Sequence, residues 1–334
     1  MRQTLEAKEE DSTPTKPVST SANGDAFHDN TALRIASSQL DIRHIGGDPI
    51  KSGPHSEYVA KPLDALPSLP HLLHSDDTHG LSLYQGNCLE LLDTIAKESS
   101  EGRFDMIFAD PPYFLSNGGI TCHAGRMVKV DKGEWDTSRG AEINHEFNLE
   151  WLRRCQRVLK PNGTIWVSGT HHVIFSIGYA MQQLGFKILN DIAWEKPNPP
   201  PNLSCRYFTH STETVLWAAK NDKSKHTFNY QEMRKVTGKQ MKTVWTMTAP
   251  GNAEKIHGKH PTQKPVALVE RCVLASTNEG DSIFDPFLGG GTTAIAAIRT
   301  NRKCTGVELD ESHAKLSLQR VKAETERKNG DLFA

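Results

Sequence analysis

From residue 81 to residue 326, short apolar runs alternate with longer amphipathic stretches, and this alternation limits the fold more than any other feature of the sequence. An apolar run such as Phe104–Ala109 is typical of a strand that is buried on both faces. A stretch such as 145–159 places apolar side chains along one side of a helix, which ends at Pro161. Strands separated by helices predict an α/β fold, in which helices cover both faces of a doubly wound, mostly parallel sheet.

The same pattern predicts where each element begins and ends. Predicted strands span residues 81–85, 104–109, 164–167, 186–194, 213–219, 282–287 and 303–309. Predicted helices span residues 88–96, 145–159, 171–184, 265–277, 292–299 and 311–326. Ligands of such sheets bind at the carboxyl ends of the strands, so unusual residues at those ends are the first candidates for function.

The chain is predicted to consist of one folded domain and an N-terminal extension. Residues 1–78 are rich in Ser, Thr, Pro and Asp and show no sustained periodicity, which is typical of a flexible or disordered segment. The folded domain is predicted to span residues 79–328. It divides into a first half at about 79–219, an insertion at about 220–258 and a second half at about 259–328.

The insertion is strongly basic. Residues 220–264 contain ten Lys or Arg against three Asp or Glu, a local charge of +7 in a chain whose net charge is −1. Such a surplus is typical of a surface that binds phosphate groups, although a solvated basic loop has the same composition. The basic candidates for contact with a nucleic acid are Lys235, Lys239, Lys242, Lys255 and Lys259, together with Arg206 in an earlier loop.

Composition argues against membrane, secreted and zinc-binding proteins. No apolar run approaches the roughly 18 residues of a membrane helix, and the first residues lack the apolar core of a secretory signal. The six cysteines are scattered without a Cys-x-x-Cys pair, which argues against a zinc site or a disulfide framework. The sequence therefore predicts a cytoplasmic protein that binds no metal.

The first unusual strand end is Asp110-Pro111-Pro112-Tyr113, which follows the apolar run Phe104–Ala109. The two prolines stiffen the turn and remove two backbone donors, so its carbonyl groups are available as acceptors. The Asp110 carboxylate and the Pro111 carbonyl can each accept a hydrogen bond from an amino group, and Tyr113 offers a flat face for stacking. The motif therefore predicts a site that holds a planar ring with an amino group.

The second unusual strand end is rich in glycine. It runs from Asp285 through Phe287, Gly289 and Gly291 to Thr292, where a helix is predicted to begin. Such a turn lets a ligand approach the backbone and the helix N-terminus, and it serves several nucleotide ligands. Glu308, which ends the next predicted strand 23 residues after Asp285, has the position of an acid that binds ribose hydroxyls. Together these residues predict an adenosyl-binding half-site.

The order of these motifs resembles that of the β-class amino-methyltransferases of DNA. The resemblance rests on Asp-Pro-Pro-Tyr early, a basic insertion, and Asp-Pro-Phe-x-Gly-x-Gly-Thr late, and it covers about residues 81–326. More narrowly, the chain resembles the single-strand-capable adenine methyltransferases of Dpn-type GATC restriction–modification systems. Three stretches carry that likeness: 108–120 (FADPPYFLSNGGI), 198–216 (NPPPNLSCRYFTHSTETVL) and 258–265 (GKHPTQKP).

The resemblance implies a Rossmann-like methyltransferase fold, S-adenosylmethionine as the methyl donor and N6 of a flipped DNA adenine as the acceptor. The DNA is expected to be double-stranded and also single-stranded, in a prokaryotic cell or its phage or plasmid. The basic insertion would be the target-recognition segment, and members of the class often form homodimers. Implied base contacts are Asp110, Pro111, Pro112 and Tyr113. Implied cofactor contacts are Asn87, Asp110, Thr262, Lys264, Asp285, Phe287, Gly289, Gly291, Thr292 and Glu308.

Other functions stay open at this point. Cytosine N4 in DNA is an alternative acceptor, although relatives with that target more often carry Ser in place of Asp110. The adenine could lie in another sequence such as GANTC, and the nucleic acid could be RNA. A catalytically silent DNA-binding module is disfavoured because Asp110 and the glycines are all present.

Overall fold

The computed structural model describes residues 69–115, 120–123, 126–129, 136–258 and 260–331. The prediction of a flexible extension therefore lies largely outside the described residues, as does Lys259. The strands are β1 (His71–Asp76), β2 (Leu81–Gln85), β3 (Phe104–Ala109), β4 (Ile120–His123), β5 (Arg126–Lys129), β6 (Leu159–Gly169), β7 (Lys187–Glu195), β8 (Thr212–Ala219), β9 (Val244–Thr246), β10 (Ser282–Asp285) and β11 (Lys303–Glu308). The helices are α1 (Cys88–Glu98), α2 (Ala141–Val158), α3 (Ile174–Gln183), α4 (Tyr230–Thr237), α5 (Val266–Ser276), α6 (Thr292–Arg299) and α7 (Glu311–Asp331).

Nine of these strands form one sheet in the order β1-β2-β11-β10-β3-β6-β8-β7-β9, and β4 pairs with β5 separately. Neighbours from β2 to β6 are parallel, whereas β1 pairs antiparallel with β2, and β8 pairs antiparallel with both β6 and β7. The predicted α/β fold with a mostly parallel sheet is confirmed. Strands β2 and β3 follow each other in sequence, yet the late strands β11 and β10 lie between them.

Helices cover both faces of the sheet, as the alternating side chains of β3 show. Met106 and Phe108 belong to a core cluster that includes residues of α5, α6 and α7. Ile107 and Ala109 belong to a second cluster, which includes residues of α1, α2 and α3. Because neighbouring residues of a strand point to opposite faces, both faces of β3 are apolar and its sequence shows no polar alternation.

Two segments differ from the sequence-based expectation. Residues 71–76, predicted to belong to the flexible extension, form strand β1, which pairs antiparallel with β2. The basic insertion, in which no strand was predicted, contributes strand β9, which pairs parallel with β7. Buried Trp245 anchors this strand, with its ring 6.2 Å from that of Trp166. Within the described part of the chain, no helix is long and apolar enough to cross a membrane.

Candidate functional site

The polar residues at the carboxyl edge of the sheet come from five neighbouring strands. Asp110 follows β3, while Ser168 lies near the end of β6, and Asp285 and Glu308 end β10 and β11. Strand β8 runs the other way, so its first residues, including Glu213, lie at this edge. Helix α5 begins just after Lys264, which reaches the same edge.

Asp110 is the centre of a hydrogen-bond network. Its Oδ1 accepts hydrogen bonds from the Tyr113 hydroxyl at 2.7 Å and from the Ser168 hydroxyl at 2.6 Å. Its Oδ2 accepts a hydrogen bond from Lys264 Nζ at 2.6 Å. Three donors from different parts of the chain therefore hold one carboxylate in a fixed orientation, and hydrogen bonds to an ionised carboxylate are strong.

Lys264 is buried between two carboxylates. Its ammonium group lies 2.6 Å from Asp110 and 3.7 Å from Glu213, and it also donates to the Thr262 carbonyl. Burial alone would lower the pKa of Lys264, but the two carboxylates outweigh it and raise that pKa above its ordinary value. Lys264 is therefore a permanent cation in this site.

Glu213 completes this group of charges. Burial raises its pKa, but Lys264 and Lys196 outweigh that effect, so the pKa of Glu213 lies below its ordinary value. Lys196 also donates a hydrogen bond to the Glu213 carboxylate. Two ammonium groups and two carboxylates thus balance in a region shielded from solvent, as buried charges require.

The loop that follows Asp110 is fixed by the carboxylate of Asp136. This side chain is fully buried and accepts hydrogen bonds from the backbone amides of Tyr113, Phe114 and Leu115 at 2.8, 2.7 and 3.0 Å. Phe114 has a φ of 57°, a left-handed conformation that is rare outside glycine. Strained residues of this kind cluster at functional sites, where the surrounding contacts hold them.

The Tyr113 side chain is less exposed to solvent than the sequence indicated. Its side chain is only 5% exposed, and its hydroxyl lies between Asp110 at 2.7 Å and Glu213 at 3.4 Å. Lys264 Nζ lies 5.2 Å from the centre of its ring. Burial, followed by the charges of Asp110 and Glu213, raises the pKa of Tyr113 well above its ordinary value. The phenol is therefore protonated and acts as a hydrogen-bond donor.

The acids that end β10 and β11 organise the glycine-rich turn. Asp285 accepts hydrogen bonds from the Phe287 amide at 2.9 Å and from the Thr293 hydroxyl at 2.5 Å. Glu308 accepts them from the amides of Gly289 at 2.7 Å and Asp310 at 2.9 Å. Burial raises the pKa of Asp285 to about 7, and the nearby acids Asp110 and Glu308 contribute to that rise.

The glycines of this turn are required by packing inside the protein. A Cβ atom at Gly289 would lie 3.2 Å from the His260 ring, and one at Gly291 would lie 3.0 Å from Ser317 on helix α7. Gly289 and Gly291 also have φ values of 52° and 78°. The sequence indicated close approach of a ligand, whereas the structure shows close approach of α7 and the loop at His260.

The other predicted cofactor residues lie at the same edge but make contacts within the protein. Asn87 Oδ1 accepts a hydrogen bond from the Leu89 amide at 2.9 Å and so caps helix α1. The Thr292 hydroxyl donates to the Lys264 carbonyl at 3.3 Å, and the Thr262 hydroxyl lies 3.4 Å from His260. Phe287 packs edge-on against Trp151, with ring centres 5.4 Å apart.

The five predicted DNA contacts that lie in the described residues are exposed or partly exposed side chains. Lys235 is exposed on α4 and lies 2.6 Å from Glu232, which offsets part of its charge. Lys239 and Lys242 are exposed in the connection from α4 to β9, and partly exposed Lys255 ends a short 3-10 helix. Arg206 is exposed in the loop between β7 and β8.

Sequence reasoning missed Ser168, Lys196, Glu213 and Asp136. The first three lie at or next to the ends of predicted strands, so their positions could have been flagged. No sequence pattern marks Asp136, which follows Asp110 by 26 residues and acts through backbone amides. Within the part of the chain that the structure describes, no group of three or more His, Cys, Asp or Glu side chains could hold a metal ion.

Comparisons with known proteins agree with this architecture. Residues 104–319 match a protein family described as DNA methylase, N6_N4_Mtase. The Type II methyltransferase M2.DpnII of Streptococcus pneumoniae is 57% identical over 66% of this chain and 84% of its own length. The Type II methyltransferase M2.LlaDCHI of Lactococcus lactis subsp. cremoris is 54% identical over 72% of this chain and 88% of its own length. The crystal structure of M1.HpyAVI in complex with SAM superposes with a TM-score of 0.56 and 26% identity, over 72% of this chain and 98% of that protein.

Proposed function

The chain belongs to the N6_N4_Mtase family of DNA methylases, and we propose that it transfers a methyl group from S-adenosylmethionine to N6 of an adenine in DNA. The observation that carries this proposal is the environment of Asp110. A carboxylate held by Ser168, Tyr113 and Lys264 lies at the edge of the sheet where ligands of such folds bind. This carboxylate is fixed before any substrate arrives.

The proposed role of Asp110 is to accept a hydrogen bond from the adenine amino group. A carboxylate has about four acceptor positions, and three are used inside the protein, which leaves one for N6–H. The Pro111 carbonyl accepts the second N6 hydrogen. These two contacts orient the nitrogen lone pair and stabilise the positive charge that develops on N6 as the new N–C bond forms and the bond between the methyl carbon and the sulfur of the donor breaks. In this proposal Asp110 accepts the proton that N6 then loses.

Lys264 and Glu213 position Asp110 for this role. The ammonium group of Lys264 donates a hydrogen bond to Asp110 Oδ2 and pairs with its charge. Glu213 and Lys196 balance the charge of Lys264, so the network places no unpaired cation beside the developing charge on N6. Much of the acceleration then comes from alignment of the amino group.

The residues present fit S-adenosylmethionine, which supplies the methyl group when bound. Glu308 uses two of its acceptor positions on the amides of Gly289 and Asp310, and the two that remain can accept the ribose hydroxyls. Asp285, Phe287 and the amides of the glycine-rich turn line the same edge. Thr262 supplies a hydroxyl for the methionine carboxylate, and the Lys264 ammonium group, which pairs with Asp110 and Glu213, contributes its positive charge to the same edge.

We propose further that the adenine lies in GATC and that the enzyme modifies DNA in a Type II restriction–modification system. The identity of more than half of the aligned residues with two Type II methyltransferases supports the assignment to such a system, and the resemblance to Dpn-type enzymes is what points to GATC. The substrate is double-stranded and also single-stranded DNA.

The test is methyl transfer from labelled S-adenosylmethionine to oligonucleotides with GATC and to matched ones with GTTC. Each is offered single- and double-stranded, and the products are digested to nucleosides. N6-methyladenine restricted to GATC on both forms is the expected result. N6-methyladenine in other sequences would remove the proposed specificity, and N4-methylcytosine would overturn the proposed acceptor.

A matched pair of variants tests the role of Asp110. Asp110→Asn keeps the shape but removes the charge, and it is expected to lose at least about 100-fold in kcat while it still binds S-adenosylmethionine. Lys97→Ala, which removes an exposed lysine near the end of α1, serves as the control with unchanged kcat. An Asp110→Asn enzyme of normal kcat would contradict the proposal.

A further inference from the structure

Four aromatic and imidazole rings lie in a row at the carboxyl edge of the sheet, and one pair among them is stacked. The ring centres of His171 and His172 are 3.8 Å apart, and those of His171 and His210 are 4.3 Å apart with planes inclined by only 16°. Tyr207 extends the row, with its ring centre 5.6 Å from that of His210. The row joins two loops, because His171 and His172 follow β6 whereas Tyr207 and His210 precede β8.

The loop between β7 and β8 presents its apolar side chains to solvent in an ordered form. Phe208 is 97% exposed and Tyr207 is 63% exposed, although water disfavours exposed aromatic rings. Asn202 holds the loop in shape, since its side chain accepts from the Ser204 amide at 3.0 Å and donates to the Tyr207 carbonyl. Because the loop is already ordered, it loses little conformational entropy when a ligand covers its exposed rings.

This row of rings adjoins the network around Asp110. Only two residues separate His171 from Ser168, and only two separate His210 from Glu213. Even a fully extended chain would place each histidine no more than about 11 Å from its partner in that network. The ends of the loop are tied together by a hydrogen bond from the Lys196 amide to the Ser211 carbonyl at 2.8 Å. A ligand in the site and a ligand on the rings are therefore neighbours.

We propose that Tyr207, Phe208, His210 and His171 form a stacking platform for the unpaired bases that flank the target adenine. This inference rests on the proposed function and specifies how its substrate is held. Aromatic faces stack on any base, and this interaction dominates recognition of single strands. A duplex hides the faces of its bases, so the platform fits an unpaired strand.

The charges around the platform agree with this occupant. Arg206 is exposed next to Tyr207 in the same loop and is available to a phosphate. Burial, together with the nearby His210, lowers the pKa of His171 below its ordinary value, so the His171 imidazole is neutral at pH 7. A neutral ring stacks through its face and does not compete with Arg206 for the phosphates.

The test measures binding of a fluorescein-labelled single-stranded 12-mer that contains one GATC. The same strand is then used with abasic sites in place of the two bases on each side of the adenine. Phe208→Ala is expected to weaken binding of the intact strand about 10-fold. Phe208→Ala is expected to leave binding of the abasic strand unchanged, because loss of the ring and loss of the flanking bases remove the same contact. Phe208→Trp is expected to restore the affinity, whereas Phe208→Leu is not.

The control is Tyr179→Ala, which removes an exposed aromatic ring that stacks on His145 from helix α3 and is expected to bind both strands like the unaltered protein. Equal weakening of both strands by Phe208→Ala, or none, would overturn the platform. Because Phe208 is 97% exposed, its replacement leaves the fold intact, and an unchanged melting temperature verifies this. The product of methyl transfer by the unaltered protein is scored separately, so failure of the proposed function is distinguishable from failure of the platform.

Discussion

Lys264 Nζ lies 2.6 Å from Asp110 Oδ2, and this buried ion pair joins two residues that are 154 positions apart in the sequence. The resemblance to known methyltransferases assigned Asp110 to the target base and Lys264 to the methionine end of the cofactor. The structure brings them into direct contact. The two proposed binding functions therefore meet in one electrostatic unit.

The first prediction concerns removal of one partner of this pair. Lys264→Met leaves the Asp110 carboxylate buried without its cation, which typically costs about 3–5 kcal/mol of unfolding free energy. The double variant Asp110→Asn/Lys264→Met leaves no unpaired charge and is expected to be more stable than Lys264→Met alone. Urea unfolding of the two single variants and the double variant measures the coupling. If the stability losses of the two single variants sum to the loss of the double variant, the two residues make no coupled contribution to stability.

The second prediction concerns the pH dependence of stability through Asp285. Its pKa is about 7 in the folded protein and 3.8 in an exposed carboxyl group. The folded state therefore keeps a proton that the unfolded state loses between pH 4 and pH 7, so this group's contribution to stability falls as the pH rises through that window. The loss is about 4 kcal/mol.

Asp285→Asn has no such proton, so its stability relative to the unaltered protein is expected to rise between pH 4 and pH 8. Chemical unfolding of both proteins at several pH values measures this difference. A difference that stays constant over this range would show that Asp285 has an ordinary pKa.

The third prediction concerns the loop after Asp110. Asp136→Ala removes the acceptor of three backbone amides, those of Tyr113, Phe114 and Leu115. We expect kcat to fall at least about 10-fold, because small displacements of catalytic groups have large effects on rate. Binding of S-adenosylmethionine is expected to change little. Asp281→Ala, which removes the acceptor of the Asn278 amide at the opposite edge, is the matched control.

The fourth prediction separates backbone strain from packing in the glycine-rich turn. Gly291 and Gly185 have similar φ values of 78° and 75°, but an added Cβ would meet Ser317 at Gly291 and nothing within 4 Å at Gly185. Both Ala variants suffer the strain of about 1–2 kcal/mol, and only Gly291→Ala also displaces helix α7. The loss of stability is therefore expected to be about 1 kcal/mol larger for Gly291→Ala than for Gly185→Ala. Equal melting temperatures would argue against the packing role.

The fifth prediction concerns the basic insertion. Lys239→Ala/Lys242→Ala is expected to reduce the slope of log K against log salt for double-stranded DNA by about 2, since each phosphate contact contributes about 0.9. Lys235→Ala is expected to have a smaller effect, because Glu232 already offsets its charge. Fluorescence anisotropy at several salt concentrations measures both. An unchanged slope in the double variant would remove these two lysines from the DNA interface.

The local patterns of the sequence predicted most of the sheet. Strands β2 and β3 and helix α6 have the predicted bounds, because each combines an apolar pattern with a clear boundary such as Gly86 or Gly291. Strand β1 was missed because its sequence, HLLHSD, lies at an exposed edge and has no regular apolar alternation. Strand β9 was missed because three residues are too few for a period to show.

The candidate site could be predicted only in part. Asp110 and Glu308 were found because acids at the ends of apolar strands are conspicuous. Their partners were not found, because the contacts of Asp110 with Ser168 and Lys264 depend on the order of strands and not on local sequence. The capping role of Asn87 is local, yet its position at a strand end favoured a ligand contact instead.

The position of β10 and β11 between β2 and β3 has a consequence for how the protein is made. When the chain has been synthesised as far as residue 281, β2 and β3 are present but β10 and β11 are not. Strand β2 therefore lacks its neighbour β11, and strand β3 lacks its neighbour β10. The unpaired edges and apolar faces remain open until about thirty more residues emerge. We therefore expect the nascent chain to need protection from aggregation until a late stage of synthesis, and a message truncated before β10 to yield no partly active fragment.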